Sequence, residues 1–595
     1  MAAPTFRVPR RTPPQPVGAM RPAERRRRKR NAITVAGVIV LAPVIAVLVL
    51  RIPLINQLND ADAWFYSSYA WVPKHQFAVF GWNYFSVRFP AILSIGVSER
   101  LFGVGGGYVV LRYLLAIVSG FSLYLCVRRF ASVRVAIGAV LLLYLQPFFS
   151  RMLLWDYSVF LEVSVGLIGV ALWYWSDGRP WAWTLLPGIA LAAAVFANGL
   201  FVTAVLALLV VEGVAALRQG RRASLIYASR VATTAAAAFG VFCVGYLGYL
   251  TILGHLSPYE LLRPTIEFVG ESEKNSAPYV RPISSWLLHE PRVWAPIITS
   301  VALLAVLRRR IFGVGLEMRI AQLCVAFTAF LWLYRLTLTS SVVESWWAYS
   351  IVVVAMAPGV GVLLHELGQR PGHALRWMVA GVGAFFLTAL LVRNIGGPAG
   401  DFYRAISTHT ALFILLLAIG LASALLMATP RMAYRGAALA LFLIVLALMS
   451  YAPSILDDRG TTGVFVANSS QEWTAYKAGK RFMEIVQDYD NPAHRVFLWF
   501  PGTLGDVDIT WADLPQEGNT LNELGVSESL TQLTPLARAR LLQPQVKYVM
   551  ILAPRPSEVA TARGVLASAG FGGPLVRGGR LAGNALNYAL VALPK

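Results

Sequence analysis

Asp60-Ala-Asp62 sets two carboxylates two positions apart, about ten residues beyond the first long apolar run of the chain. A carboxylate held beside a hydroxyl can take its proton, so either residue could serve as a general base. On a strand or turn the two would share a face, whereas on a helix they would diverge, so one of them is expected to point into a site. Asp62 is the first choice as base and Asp60 its competitor. A third acid, Asp156, lies in a short connection with Arg151, Trp155 and Tyr157. It could hold a divalent ion such as Mg²⁺ or Mn²⁺ together with one of the first pair, bind an acceptor, or pair with Arg151. The structural alternative for the first pair is helix capping, which Asn59 or Asp60 would do well.

The elements that position these acids must be membrane helices. The 595 residues are 57% hydrophobic and only 14% charged, whereas a soluble protein would carry about 25% charged residues. The net charge of +22 is unevenly placed. Residues 1–32 carry one acid, Glu24, against many bases, including the unbroken run Arg25 to Arg30. This Pro-rich tail reads as a disordered cytoplasmic segment. Beside a membrane span it acts as a topology signal and a contact for anionic lipid rather than a nucleic-acid site. The span that follows, residues 32–50, is too long for a cleavable signal and reads as a retained anchor. Cys126, Cys243 and Cys324 all fall in predicted spans, so disulfides are expected to play no part.

Basic clusters recur between apolar runs, at Arg128 to Arg134, Arg218 to Arg222, Arg308 to Arg310, His365 to Arg376 and Arg431 to Arg435, with Asp177-Gly-Arg179 a weaker member. Alternation about these clusters gives about 13 spans, with the N-terminus inside and the C-terminus outside. Their approximate limits are 33–51, 108–127, 134–149, 158–176, 183–198, 200–217, 230–253, 293–307, 319–338, 348–365, 377–393, 409–428 and 436–452. The long apolar stretch 183–217 is split at Asn198-Gly199. The fold class is thus an all-α polytopic membrane domain, residues 33–452, followed by a small soluble α/β domain, residues 453–595, expected on the outer face. In that last part Val496 to Phe500 and Val546 to Leu552 read as buried strands, and 471–488, 530–543 and 557–569 as helices. Asp506-Val-Asp508 is a short acidic string of a kind that chance supplies often.

The first outer loop, 52–107, interleaves Trp64, Phe65, Tyr66, Tyr69, Trp71, Phe77, Phe80, Trp82, Tyr84 and Phe85 with Lys74, His75 and Arg88. It is expected to lie along the membrane surface with its rings at headgroup depth. Asp62-Ala-Trp-Phe-Tyr66-x-x-x-Ala70 resembles the Asp-Glu-x-x-Tyr-x-x-x-Ala pattern in the first loop of GT-C fold glycosyltransferases of the protein O-mannosyltransferase and aminoarabinose-transferase type. The stretch Tyr84 to Pro90, the Leu101-Phe102-Gly103 triplet with Leu111-Arg112, and the acid Asp156 resemble further features of that family in the same order. The likeness covers residues 50 to 180, and Ala63 stands where the family often has Glu.

The resemblance implies a polyprenyl-phosphate-sugar donor, inversion at the anomeric carbon, and a glycan, lipid or protein acceptor at the outer membrane face. A departing phosphate needs positive charge or a metal. Arg335, about one turn from the end of its span after Tyr334, is the first choice, with Arg263 and Arg281 next and Arg393 and Arg404 weaker. Each also reads as a snorkelling or solvated residue, and Glu344 in the following loop is a rival partner for Arg335. Tyr66 and Glu162 are candidate cavity residues, although Glu162 equally suits a buried structural hydrogen bond. Two other classes compete with an enzyme. A transporter would show half-to-half repeats, which the sequence lacks. A non-catalytic envelope-assembly protein would keep such a body with a degenerate site.

Overall fold

The computed structural model describes residues 22–50, 61–146, 158–270, 294–338, 349–369, 469–499, 532–581 and 586–594, together with Phe149, Met152 and Leu153. Among these residues five helices are long and apolar enough to cross a membrane: Val104–Val127, Gly199–Gln219, Arg221–Leu253, Leu316–Leu336 and Ser350–Gln369. Shorter apolar helical stretches cover Ala32–Ala46, Val133–Tyr144, Val159–Trp175 and Ala182–Ala197. The last three expected spans, 377–393, 409–428 and 436–452, lie outside the described residues.

In chain order the membrane helices begin with α1 (Pro22–Leu50). Three helices of the first loop follow, α2 (Ala61–Trp71), α3 (Pro73–Phe80) and α4 (Phe89–Phe102). Then come α5 (Val104–Val127), α6 (Val133–Leu145), α7 (Val159–Trp175), α8 (Leu185–Ala197), α9 (Val202–Gln219), α10 (Arg221–Leu253), α11 (Pro258–Gly270), α12 (Trp294–Leu307), α13 (Leu316–Leu338) and α14 (Val353–Gln369). Local sequence explains the breaks. Ser132 caps α6 by accepting from the Val135 amide. The Asn198 side chain accepts from Leu200 N where α8 gives way to a short 3-10 turn ahead of α9. Gly103, at φ +76°, turns the chain from α4 into α5.

Helix α7 packs on α5, α8 and α14 at the centre of the bundle. Small residues let these helices approach closely, as membrane packing requires. A Cβ at Gly166 would meet the Phe201 ring at 2.3 Å, and one at Gly245 would meet Phe89 at 2.5 Å. The connections that carry basic clusters gather at one end. There Arg319 of α13 bonds Glu212 of α9 and Asp177, which follows α7. Arg230 of α10 lies 3.2 Å from Asp177, Arg129 donates to the carbonyl of Trp175 at 2.8 Å, and Arg310 pairs with Glu366 at 3.0 Å. The buried Arg319 and Arg230 are paired with Asp177, and Arg319 also with Glu212, which is what makes their burial tolerable.

At the opposite end lie α2, α3 and α4. Three of their rings turn inward, while Phe65, Trp71, Phe80, Trp82, Tyr84 and Phe85 stay partly exposed. Tyr66, Tyr69 and Phe77 are buried, and Phe77 meets Trp82 and Tyr249 at ring-centroid distances of 4.9 and 5.2 Å. Edge-to-face packing adds to the area these buried rings remove from solvent.

The C-terminal part is a four-stranded sheet in the order β1-β2-β4-β3, with helices on it. Strands β1 (Arg495–Trp499) and β2 (Val546–Ala553) are parallel, and β4 (Leu586–Ala592) runs antiparallel to both β2 and β3 (Leu575–Leu581). Helices α15 (Ser469–Val486), α16 (Pro535–Leu541) and α17 (Pro556–Ser568) accompany it. Strands β3 and β4 were not expected from the sequence. The Gly-Gly pair and two arginines of β3 argue against a strand locally, and its place on the edge comes from pairing with β4. The Asp506-Val-Asp508 string lies outside the described residues.

Candidate active site

Arg88 organises the end of the bundle opposite the basic clasp. It stands just before α4 and is 2% exposed. Its Nη1 donates to the Tyr66 hydroxyl and to Ser158 Oγ, the latter at 2.7 Å. The guanidinium lies over the Tyr84 ring, 3.7 Å from the centroid, a favourable cation–π contact. Tyr66 belongs to α2 and Ser158 immediately precedes α7, so one guanidinium sets α2, α4 and α7 relative to each other.

The turn that presents Arg88 is itself held. Asn83 Oδ1 accepts from the amides of Phe85 and Ser86, each at 3.0 Å, and Asn83 Nδ2 donates to the Tyr69 hydroxyl at 3.1 Å. The Tyr249 hydroxyl of α10 donates to the Ser86 carbonyl.

Asp62 is the second residue of α2 and stands one turn before Tyr66, on the same helical stripe. Asp60, Asp156, Arg281, Glu344, Arg393 and Arg404 lie outside the described residues. Tyr66 is fully buried and bonded to Arg88. One turn beyond Ser158 on α7, Glu162 is also buried, and its Oε2 accepts from Asn198 Nδ2 at 2.8 Å. Glu162 therefore ties α7 to the break between α8 and α9.

Arg263 is exposed on α11 and lies 3.6 Å from Glu267, one turn on. Arg335 is buried near the end of α13. Its depth follows from helix rise. Arg319 and Asp177 are bonded at the basic clasp, and α7 and α13 run away from that point. Sixteen residues separate Arg319 from Arg335 and fifteen separate Asp177 from Glu162, so each lies about 22–24 Å along its helix from the clasp. Arg335 and Glu162 thus stand at about the same level, at the end where Arg88 and Ser158 meet. Trp332 donates to the Tyr349 hydroxyl at 3.2 Å and fixes this end of α13.

Sequence reasoning missed Arg88 as an organiser and read Asn198 only as a break. The available signal for Arg88 was a basic residue directly before Phe89-Pro90, in a loop otherwise dominated by rings. Among the described residues no group of three or more His, Cys, Asp or Glu stands close enough to hold a metal ion.

No family model matches the chain, and no curated protein matches it. Solved structures do. ArnT from Cupriavidus metallidurans bound to undecaprenyl phosphate is 14% identical, with 93% of this chain and 98% of that chain covered and a TM-score of 0.50. The same protein in the apo state gives 16% identity, 95% and 98% coverage and a TM-score of 0.47. The archaeal oligosaccharyltransferase AglB from Archaeoglobus fulgidus, in complex with an inhibitory peptide and a dolichol-phosphate, gives 13% identity, 87% and 69% coverage and 0.43. The first of these spans nearly the whole of both chains, and its likeness is one of fold. This chain is an integral membrane protein with the GT-C fold, an all-α membrane domain followed by a small α/β domain.

Proposed function

We propose that this protein is a membrane glycosyltransferase that moves a sugar from a polyprenyl-phosphate donor to a glycan, lipid or protein acceptor at the outer membrane face. The observation that carries this reading is the junction of Tyr66, Arg88 and Ser158. Asp62 precedes Tyr66 by one helical turn, about 6 Å of rise. Asp156, two positions before Ser158 in the sequence, lies outside the described residues. One guanidinium therefore joins α2, the helix of Asp62, to the start of α7. The undecaprenyl phosphate in the ArnT structure supports the donor class.

In this reading Asp62, or Asp60 in its place, takes the proton from the acceptor hydroxyl. The acceptor oxygen forms a bond to the anomeric carbon while the bond from that carbon to the phosphate oxygen breaks. The electron pair leaves on the polyprenyl phosphate, the configuration inverts, and Arg335 stabilises the departing charge.

Orientation follows from charge. The basic clasp is assigned to the cytoplasmic side, which places the C-terminal domain outside with the site. A periplasmic reporter fused after Lys595 should be active and a cytoplasmic one inactive. The reverse pattern would put the proposed site on the wrong face.

The two acids would suit Mg²⁺ or Mn²⁺ through carboxylate oxygens, which would supply positive charge to the leaving phosphate. On that reading sugar transfer stops in excess chelator and returns when either ion is added. Unchanged turnover in chelator would leave Asp156 with an acceptor-binding or structural role. The reading as a whole is tested by purified protein in lipid discs given membrane-extracted polyprenyl-phosphate sugars. Release of free polyprenyl phosphate together with a glycosylated acceptor supports it. No release, with the fold intact, would favour a non-catalytic GT-C body.

A further inference from the structure

Glu99 of α4 lies under the C-terminal domain, 4% exposed. Its Oε2 accepts from Trp71 Nε1 at 2.6 Å, and its Oε1 accepts from the Tyr476 hydroxyl of α15. Lys480 Nζ stands 3.8 Å from Oε2. Arg112, stacked between Tyr108 at 3.8 Å and Phe160 at 4.0 Å, adds its charge from the membrane side. The Trp71 and Tyr476 rings meet edge to face at 5.1 Å. Val72 packs into the same apolar cluster as Phe482, Leu498 and Leu590 of the C-terminal domain.

A second polar tie lies beside it. His75 Nε2 is 3.0 Å from Asp490 Oδ2, and the other oxygen of Asp490 accepts from Arg495 Nε at 2.8 Å and Val496 N at 2.9 Å. The C-terminal domain therefore grips the chain at the end of α2 and the start of α3, and the transfer chemistry proposed above makes no use of these residues.

Trp71 is the last residue of α2 and Asp62 the second. Nine residues of helix separate them, about 14 Å. A helix is stiff over that length, so a tilt of about 10° at the Trp71 end would move the Asp62 end by about 2 Å. A shift of about 1 Å in a reacting group can lower a rate on the order of 100-fold. A grip on Trp71 is thus a grip on the candidate base.

Resting on the glycosyltransferase reading above, we propose that Glu99 is a positioning residue. Its one carboxylate holds Trp71 and Tyr476 together, so the docked C-terminal domain sets where the Asp62 end of α2 stands. Burial pushes the Glu99 carboxyl above the usual carboxylate range, against the lowering effect of Tyr476, Trp71, Lys480 and Arg112. A raised folded-state value means that the net contribution of Glu99 to fold stability is full at low pH and declines as pH rises through that value, although its bonds to Trp71 and Tyr476 favour the ionised form.

The test uses the full chain in lipid discs, carrying Glu99, Glu99→Gln or Glu99→Leu. A Gln can still accept from Trp71 through its oxygen and donate to Tyr476 through its nitrogen, whereas Leu can do neither. Amide exchange in residues 64–71 should speed up about tenfold or more in Glu99→Leu, with α7 and β2 unchanged, and return to the original rate in Glu99→Gln. In the transfer assay Glu99→Leu should lower kcat about tenfold or more at nearly constant KM for donor, and Glu99→Gln should restore it.

Unchanged exchange in α2, or failure of Gln to restore it, would overturn the proposal. If Glu99→Leu fails to fold, Tyr476→Phe removes only the hydroxyl donor and should produce a smaller change of the same sign; no change there also overturns the proposal. The exchange readout does not depend on sugar transfer. A result in which α2 responds as expected while Asp62→Asn stays active would refute the catalytic reading and leave the mechanical coupling in place.

Discussion

Asp62→Asn is expected to lower sugar transfer on the order of 100-fold or more, the effect of removing a general base. The substitution keeps size and shape and sits in the first turn of α2, so expression and lipid binding should stay close to those of the parent protein. Asp60→Asn, made in parallel, decides which acid takes the proton. An inactive Asp60→Asn beside an active Asp62→Asn would transfer the role to Asp60. Full activity in the double variant would remove base catalysis by this pair altogether. Asp62 stands on α2 one turn before Tyr66, whose hydroxyl Arg88 holds.

Arg335→Gln is expected to weaken binding of undecaprenyl phosphate about 10–100-fold, the cost of losing a charged hydrogen bond worth about 1.5–3 kcal/mol. Arg335→Lys should recover it only in part. The planar fork of Arg can contact two phosphate oxygens at once, and an ammonium cannot. Binding is measured by titrating the lipid into protein in discs. Glu344→Gln supplies the control, since an ion pair with Glu344 is the competing role for this arginine. Loss of lipid binding in Arg335→Gln alone supports the phosphate site. Destabilisation in both variants, with no specific loss of binding, would make Arg335 structural and move the phosphate to another cation.

Much of the membrane fold was legible because its causes are local. Long apolar runs, basic clusters and the Asn198-Gly199 break each act within a few residues of chain, and the structure keeps them. Strands β1 and β2 were legible as short apolar runs. Strand β3 was not, because an exposed Gly-Gly segment becomes a strand only when β4 offers it an edge.

The sequence offered candidate acids, of which Asp60 and Asp156 lie outside the described residues, but not the assembly around Arg88. Arg88 meets Tyr66 and Ser158 across 22 and 70 residues of chain. Glu99 meets Tyr476 across 377. No periodicity or motif encodes such pairings; they exist only once the helices have packed. The rings of the first loop show the same limit. Tyr69 and Phe77 pack on each other and Phe77 on Tyr249 of α10, contacts that no local pattern encodes.

In the proposed function, the end of the bundle organised by Arg88 receives a polyprenyl phosphate. An experimental structure of the full chain in lipid discs with undecaprenyl phosphate at saturating concentration tests it directly. The phosphate is expected at the end where Arg88 and Ser158 meet, beside the first turn of α2 and at the level of Arg335. A phosphate at the basic clasp around Arg319 and Arg230, or no ordered lipid phosphate at the Arg88 end, would contradict it.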